Sequence, residues 1–71
     1  MKIDYDPEVD ALYIQFQPGK VKQSRKILEG VVLDIAKDGR IFGIEILDAS
    51  RRIPLSQIGR VNVNFPISKA S

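Results

Sequence analysis

A hairpin signal near the middle of the chain limits the possible folds more than any other feature. Residues 31–47, VVLDIAKDGRIFGIEIL, form two apolar runs separated by Asp38-Gly39. A primed two-residue turn needs positive φ, which glycine adopts without strain. Because side chains alternate between the faces of a strand, a loop of two or four residues puts Leu33 and Ile44 on one face. We therefore predict an antiparallel hairpin with an even loop.

Two further segments alternate in the same way and predict strands before the hairpin, and a third is predicted as an exposed strand. Residues 2–5 and 11–16 each place apolar side chains on one face, and Asp6-Pro7 between them is typical of a turn. Residues 21–28 are too polar for a buried strand, so we expect an exposed one whose Lys and Arg side chains discourage edge-to-edge aggregation. Short connections favour a meander over a crossover.

The pattern changes after Leu47. Asp48 is predicted to cap a helical turn, and Pro54 with Gly59 favours a short helix over residues 54–58. Residues 61–65 alternate again and predict a last strand. The expected fold class is α+β: a mainly antiparallel meander of four or five strands, a short C-terminal helix and a terminal strand. We expect one domain over residues 1–66 and a loose tail over residues 67–71.

Composition excludes several classes of site. The 71 residues include no Cys and no His, which removes the usual transition-metal ligands and nucleophile–base pairs. We predict no metal and no cofactor. No stretch is apolar enough to cross a membrane and the acidic N-terminus lacks a signal core, so a cytoplasmic location is expected. A chain this short has a small core, which favours homodimerisation.

The predicted hairpin is apolar on both faces, and this suggests a surface for a partner. A single short helix covers one face of the sheet, so the second face needs another cover, most simply a copy of the same chain. The alternative is that these are scattered surface side chains. The predicted partner interface comprises Val32, Ile41 and Leu47 with Val61, Val63 and Phe65 of the terminal strand.

Basic residues suggest a second kind of partner. The net charge of +2 does not by itself imply a polyanion, but the positive charges cluster. A row of cations on a strand can bind phosphates without sequence preference. The simpler interpretation is a solvated strand edge. The candidate nucleic-acid contacts are Lys20, Lys22, Arg25, Lys26, Arg51 and Arg52.

Two groups of carboxylates are candidates for a metal site or for acid–base catalysis. Asp4, Asp6, Glu8 and Asp10 alternate like early calcium-loop ligands, but Gly and Glu are missing at the sixth and twelfth positions. A solvated acidic turn is the preferred interpretation. Asp34 and Glu45 fall on the second face among apolar neighbours, but no nucleophile accompanies them. We expect them to meet Arg or Lys or to be solvated, and we predict no catalytic residue.

Three blocks of the chain resemble one family. Residues 3–14 (IDYDPEVDALYI), residues 29–34 (EGVVLD) and residues 38–50 (DGRIFGIEILDAS) are similar, in order, to the YuzE-like bacterial family of small domains of unknown function. The resemblance implies a small antiparallel sheet with a helix, of prokaryotic cytoplasmic origin, with no established catalytic residue. Some members occur beside small toxin-like proteins, which implies an antitoxin-like role by association.

These observations predict a non-catalytic protein-interaction module that acts by burying its sheet against a partner. The expected partners are a second copy of the chain and a small toxin-like protein. The alternative is a nucleic-acid-binding module that uses its basic strand edge.

Overall fold

A computed structural model describes residues 1–66, and within them five strands form one antiparallel sheet. The sheet is followed by helix α1, Ala49–Arg52, and by a 3-10 turn, Leu55–Gln57. The predicted α+β class with a mainly antiparallel sheet is confirmed. The strands are β1 (Lys2–Asp6), β2 (Ala11–Gln15), β3 (Val21–Leu28), β4 (Val31–Ala36) and β5 (Ile41–Leu47).

The strand order is β1-β2-β5-β4-β3, which is not the order of a simple meander. Strands β3, β4 and β5 do form a meander, but β5 then pairs with β2, so the connection from β2 leads to the far edge of the sheet. Hydrophobicity explains this arrangement. The apolar strand β5 gains most from a central position, whereas the charged strand β3 is best placed at an edge in contact with water.

The central hairpin reaches the predicted pairing through a different turn. Residues 37–40 separate β4 from β5, and only Gly39 of the Asp38-Gly39 pair has positive φ, at 88°. The predicted primed turn is therefore wrong, because it needs positive φ at both positions. Ala36 N donates to Arg40 O at 2.8 Å, and a register shift beyond this pair restores Leu33 opposite Ile44. The two residues share a face as predicted.

The pairing registers define two faces of the sheet. What we call the apolar face contains two rows that run straight across all five strands. The opposite face, called the polar face, carries the alternate residues of each strand. The apolar rows are Ile3, Ile14, Ile44, Leu33 and Arg25, and Tyr5, Leu12, Ile46, Val31 and Leu28. The polar rows are Asp4, Tyr13, Glu45, Val32 and Lys26, and Lys2, Gln15, Gly43, Asp34 and Ser24.

The sheet has little covering it. Most strand residues of β2, β4 and β5 are half-buried, and β3 is exposed along its whole length. Within the described part of the chain, α1 has four residues and the 3-10 turn three, too few to form a second layer over five strands. Full burial of apolar side chains is limited to Leu12, Ala36, Phe42 and Ala49.

The segment after the sheet differs from the predictions in three ways. Asp48 occupies the N-cap position of α1 with a φ of 52° but makes no side-chain capping bond. The predicted helix over residues 54–58 is a 3-10 turn, because Pro54 stays extended, although Leu55 and Ile58 are half-buried. Residues 61–65 form no strand and are exposed, so the predicted terminal strand is wrong. The predicted tail, residues 67–71, lies outside the described residues.

Candidate interaction surfaces

The apolar face is a broad hydrophobic surface. Its central row contributes one aliphatic side chain from each of four adjacent strands, Ile3, Ile14, Ile44 and Leu33, and all four are only half-buried. Phe16 continues the alternation of β2 at one end of this face and is 45% exposed. Leu12 and Phe42 on the same face are buried, at 1% and 7% exposure, so the face is open to water mainly along this row and at Phe16. The apolar face is therefore the strongest candidate for a binding surface.

The two edges of the sheet carry opposite charges and are built to resist strand addition. Strand β3 has two register shifts against β4 and exposes Lys22, Arg25 and Lys26. Register shifts and charged side chains on an edge strand both oppose pairing with another chain. Strand β1, at the other edge, exposes Asp4 and Asp6. Edge pairing between like strands is accordingly unfavourable.

A hydrogen-bonded network crosses the polar face. Tyr13 on β2 donates its hydroxyl to Asp34 Oδ2 on β4 at 2.7 Å, and Ser24 on β3 donates to Asp34 Oδ1 at 2.5 Å. Both oxygens of one carboxylate thus accept from hydroxyl groups of different strands. The network ties together β2, β4 and β3, and the phenol ring passes over β5 to do so. It stabilises the sheet from within and places polar groups at the centre of this face.

Gly43 makes this crossing possible. It is buried and lies on β5 opposite Asp34 on one side and Gln15 on the other. A Cβ atom at this position would lie 2.7 Å from Tyr13 Cζ and 2.7 Å from the backbone oxygen of Ile14. The ring can move, but the backbone oxygen belongs to the sheet and cannot shift without breaking the pairing. A side chain at position 43 is therefore incompatible with the network.

The surroundings of the Tyr13 hydroxyl raise its pKa to about 12. Burial of the ring is the main cause, followed by the hydrogen bond to Asp34 and by the negative charges of Asp34 and Glu45. At neutral pH the hydroxyl stays protonated and remains a donor. Tyr13 is therefore unsuited to act as a general base. The arrangement positions side chains and offers no acid–base pair.

Asp10 is a second anchoring point, at the end of the sheet next to α1. Its carboxylate accepts from Tyr5 Oη at 2.7 Å, from Ser50 Oγ at 2.7 Å and from Ser50 N at 3.1 Å. Bonds from the Ser50 and Tyr5 hydroxyls lower the pKa of Asp10, and the same bond to Asp10 raises the pKa of Tyr5. Asp10 thus caps α1 from a distant turn, a role the sequence had suggested for Asp48.

Two carboxylates of the acidic turn are engaged within the chain. Asp10 accepts hydrogen bonds from Tyr5 and Ser50, and Asp6 Oδ1 accepts from the backbone nitrogen of Glu8 at 3.0 Å. Among residues 1–66, no three carboxylate, His or Cys side chains come together as a metal would require.

The predicted nucleic-acid contacts separate into two groups. Lys20, Lys22, Arg25 and Lys26 follow the exposed edge strand β3, and the first two line a shallow depression of about 180 Å³ together with Lys37. Arg51 and Arg52 lie on α1. Arg52 is engaged within the chain, because its guanidinium donates to Leu47 O at 3.1 Å and to Glu29 O at 2.5 Å. Arg52 therefore holds α1 against the sheet.

The predicted partner residues do not form one patch. Val32 and Leu47 lie near one end of the polar face, whereas Ile41 lies at the far end of β5, where it pairs with Ile35 beyond the register shift. Ile41 is 49% exposed and Leu47 40% exposed, while Val32 is half-buried. Val61, Val63 and Phe65 are exposed but belong to no strand of the sheet.

The sequence-based analysis missed the residues that organise the polar face. Asp34 and Glu45 do share that face, as predicted, but Asp34 is bonded to two hydroxyl groups and not to Arg or Lys. Tyr13 and Ser24 were not selected because their roles depend on a register across four strands. The one available signal was Gly43 within an otherwise apolar strand, which often marks a close approach of another group.

Comparison with known proteins shows the family to which the chain belongs. Residues 2–50 match the family described as "Protein of unknown function (DUF2283)", and the chain belongs to that family. No solved structure matches the chain. No helix within residues 1–66 is long and apolar enough to cross a membrane.

Two archaeal relatives are similar to this chain over most of its length. A Methanosarcina mazei protein named "Putative hypoxanthine phosphoribosyltransferase" is 39% identical over 64 residues, which cover 90% of this chain and 51% of that protein. "Uncharacterized protein MJ0789" of Methanocaldococcus jannaschii is 39% identical over 51 residues, which cover 72% of this chain and 43% of that protein. The chain thus spans about half the length of the relatives it matches.

Proposed function

We propose that the chain is a non-catalytic protein-interaction module that buries the apolar face of its sheet against a protein partner. The observation that carries this proposal is the single-layer architecture. Aliphatic side chains from four adjacent strands form a continuous row, and the described residues supply no second layer to cover it. Burial of apolar surface contributes about 25 cal/mol per Å², so covering this face provides a large driving force for association.

The other surfaces of the domain support this choice by contrast. On the polar face, Asp34 and Tyr13 already have hydrogen-bond partners within the chain. The edges carry charges and, on β3, register shifts that oppose strand addition. The four aliphatic side chains from Ile3 to Leu33 on the apolar face have neither feature. Binding through it therefore exposes no broken hydrogen bond and requires no rearrangement of the sheet.

The narrower parts of the proposal come from the sequence. The resemblance of the three sequence blocks supports three narrower statements. These are membership among YuzE-like proteins, an antitoxin-like role beside a small toxin, and a cytoplasmic location. Phosphoribosyl transfer, named for the M. mazei relative, is not carried over to this chain. Residues 1–66 provide no glycine-rich loop leading into a helix of useful length, which is a common way to hold phosphate groups.

The proposal is tested by capture and reconstitution. Tagged wild-type, Phe16→Asp and Leu47→Asp chains are used to capture proteins from native cell extract, each with nuclease and in high salt. Leu47 is the matched control, because it lies on the polar face and is 40% exposed against 45% for Phe16. The captured protein is then purified and its affinity measured by calorimetry. We expect tight binding with a negative heat-capacity change that Phe16→Asp weakens and Leu47→Asp preserves. Equal binding by both variants, or binding lost in high salt, would contradict burial of the apolar face.

Nucleic-acid binding is a second candidate, favoured by one observation. Strand β3 is exposed along its whole length and presents Lys22, Arg25 and Lys26, with Lys20 and Lys37 nearby. Anisotropy of labelled single-stranded DNA and RNA tests this candidate at low and physiological salt. Binding that falls steeply with salt and is lost in Lys22→Ala/Lys26→Ala would support it. Absence of binding at low salt would exclude it.

A further inference from the structure

We infer that the end of the sheet where β3 begins and β4 ends binds a small-molecule diphosphate through Lys20, Lys22 and Lys37. This inference goes beyond the proposed function, because the site is independent of the aliphatic row on the apolar face. Three observations lead to it. They are the depression that the lysines share, the strand pairing that brings them together, and the engagement of the acidic side chain beside them.

The three lysines meet at one depression. Lys20 precedes β3, Lys22 lies on it and Lys37 follows β4, and with Val21 they line a depression of about 180 Å³. Val21 is 42% exposed and contributes an apolar side chain. Lysines commonly lay their methylene groups along apolar surface and keep the ammonium group in water. The depression thus combines an apolar lining with three positive charges.

The pairing of β3 with β4 forces two of these charges together. Val21 pairs with Ala36, so the next position of the same antiparallel register places Lys20 opposite Lys37. Both lysines also line an adjoining depression of about 160 Å³. Like charges directly opposite each other on paired strands are destabilising. A bound anion would relieve this repulsion.

A β-bulge brings the third charge to the same end of the sheet. Val21 and Gln23 pair with neighbouring residues of β4, which leaves Lys22 as an extra residue without a partner on that strand. A bulge redirects the side chains next to it, and bulges are common beside functional sites. Lys22 therefore joins the other two lysines at the depression.

The one acidic side chain that lines these depressions is already engaged. Asp38 Oδ1 accepts from Arg40 N at 3.0 Å, and Asp38 Oδ2 lies 3.8 Å from Arg40 Nε. Within residues 1–66, no ion pair involves any of the three lysines. The cluster therefore receives no counter-ion from the described part of the chain, and an anionic ligand would supply one.

Charge indicates the class of the ligand. Lysine binds phosphate as a compact point charge. One phosphate monoester carries about −1.5 to −2 at pH 7, which leaves part of three positive charges unmatched. Two linked phosphate groups match these charges more closely. A small diphosphate ester is therefore the ligand that the cluster fits best.

A nucleic-acid strand fits the cluster less well, because the positive charges do not continue along one face of β3. Arg25 lies on the apolar face, opposite Leu33. Lys26 lies on the polar face and is paired with Glu29 at 3.1 Å. The three lysines thus form a local site and not the beginning of a continuous row.

Titration with inorganic pyrophosphate tests the site. Amide NMR spectra of the isotope-labelled chain are recorded at low ionic strength with pyrophosphate and, separately, with inorganic phosphate. The test variant is Lys20→Gln/Lys37→Gln. The control, Lys2→Gln/Lys26→Gln, removes the same two charges outside the depression. We expect pyrophosphate to bind wild type more tightly than phosphate does, and to bind the test variant at least about fivefold more weakly, with the control unchanged.

Three results of this titration would overturn the inference. Equal weakening in both variants would show attraction to the net positive charge alone. Absence of shifts in residues 19–22 and 36–38 at millimolar pyrophosphate would place no ligand at the depression. Phosphate that binds as tightly as pyrophosphate would contradict a diphosphate site.

Thermal unfolding provides a second measurement and checks that the variants fold. Without ligand, Lys20→Gln/Lys37→Gln should unfold at or above the temperature of wild type, because two opposed like charges are removed. A ligand that binds only the folded chain stabilises it, so pyrophosphate should raise the midpoint of wild type and control but not that of the test variant. Equal stabilisation of all three chains would contradict the assignment.

The inference and the proposed function fail separately. Phe16→Asp should leave pyrophosphate binding unchanged, and Lys20→Gln/Lys37→Gln should leave capture of a protein partner unchanged. Labelled single-stranded RNA distinguishes the diphosphate site from a nucleic-acid surface. RNA that binds more tightly than pyrophosphate and depends equally on Lys26 would show a basic strand edge and overturn the diphosphate site.

Discussion

The two faces of the sheet show different solutions to the same problem of covering strands. On the polar face, Tyr13 reaches across Gly43 to Asp34, and the side chains bond to one another. On the apolar face, Ile14 and Ile44 lie opposite each other on adjacent strands and remain half-buried. One face contributes to stability within the chain. The other retains hydrophobic surface whose burial requires something from outside.

This difference shows where stability and association are expected to respond to mutation. A hydrogen-bonded network stabilises the folded chain, and removing one member removes its share of that stabilisation. An apolar face tolerates changes at its rim within a single chain but loses binding when a charge enters the contact. Substitutions on the polar face should thus lower the stability of the domain, and those on the apolar face should weaken its binding to a partner.

The largest effect on stability is expected for Gly43→Ala. The added Cβ meets the backbone oxygen of Ile14, so the sheet must open locally, and we expect a loss of about 2–3 kcal/mol in the free energy of unfolding. Gly59→Ala is the control, because a Cβ there has no atom within 4 Å. Urea denaturation of both variants measures the difference. Equal stability of the two variants would mean that the sheet has space for a Cβ atom at position 43.

A smaller loss is expected for Tyr13→Phe, about 1–2 kcal/mol at neutral pH, because Asp34 loses one of its two hydroxyl donors. The pKa of Tyr13 is raised from 10.0 to about 12, so its contribution is present below pH 10 and is lost as the pH rises towards 12. Urea midpoints measured across this window should fall less in Tyr13→Phe than in wild type. Parallel curves would contradict the assignment.

The capping role of Asp10 predicts a pH effect at the acid side. Because the pKa of Asp10 is lowered in the folded chain, its contribution is present above its ordinary value of 3.8 and is lost as the pH falls through the folded value. Asp10→Asn should reduce this acid dependence. Asp48→Asn, at a position with similar positive φ but no capping bond, should leave it unchanged. The same acid dependence in both variants would contradict the assignment of Asp10 as the residue that caps α1.

The smallest change in stability is expected for Phe16→Asp, about 1 kcal/mol or less, because the ring is already 45% exposed. Urea denaturation at a concentration low enough to keep the chain monomeric provides the measurement. A loss as large as that of Gly43→Ala would show that the apolar face is part of the core of a single chain. It would then need no partner.

Local patterns were enough to predict the strands but not their order. Alternation of apolar residues predicted four of the five strands, and the Asp38-Gly39 turn located the hairpin, because both signals depend on neighbouring residues. The charged segment 21–28 was predicted as an exposed strand from its composition, and it forms β3. The position of β5 between β2 and β4 depends on competition among strands for the centre of the sheet. Residues 61–65 alternate as a strand does, but they do not pair with the sheet and form no strand.

The candidate surfaces were harder to predict for the same reason. The sequence predicts apolar residues on both faces of the hairpin. The predicted partner interface was assigned to the face that would carry Val32, Ile41 and Leu47. The pairing register then placed Tyr13, Gly43 and Asp34 between them. Likewise, the sequence around Arg52 suggests an ordinary surface cation. Its hydrogen bonds to Glu29 O and Leu47 O could not be predicted, because they depend on where α1 lies.

Methyl NMR on the wild-type chain, titrated with the captured partner, tests the central claim most directly. The Ile, Leu and Val methyl groups report on both faces at once. The account predicts that signals of Ile3, Ile14, Ile44 and Leu33 shift together as the partner binds, while those of Val32 and Leu47 stay constant. Shifts confined to Val32 and Leu47 would contradict association through the apolar face.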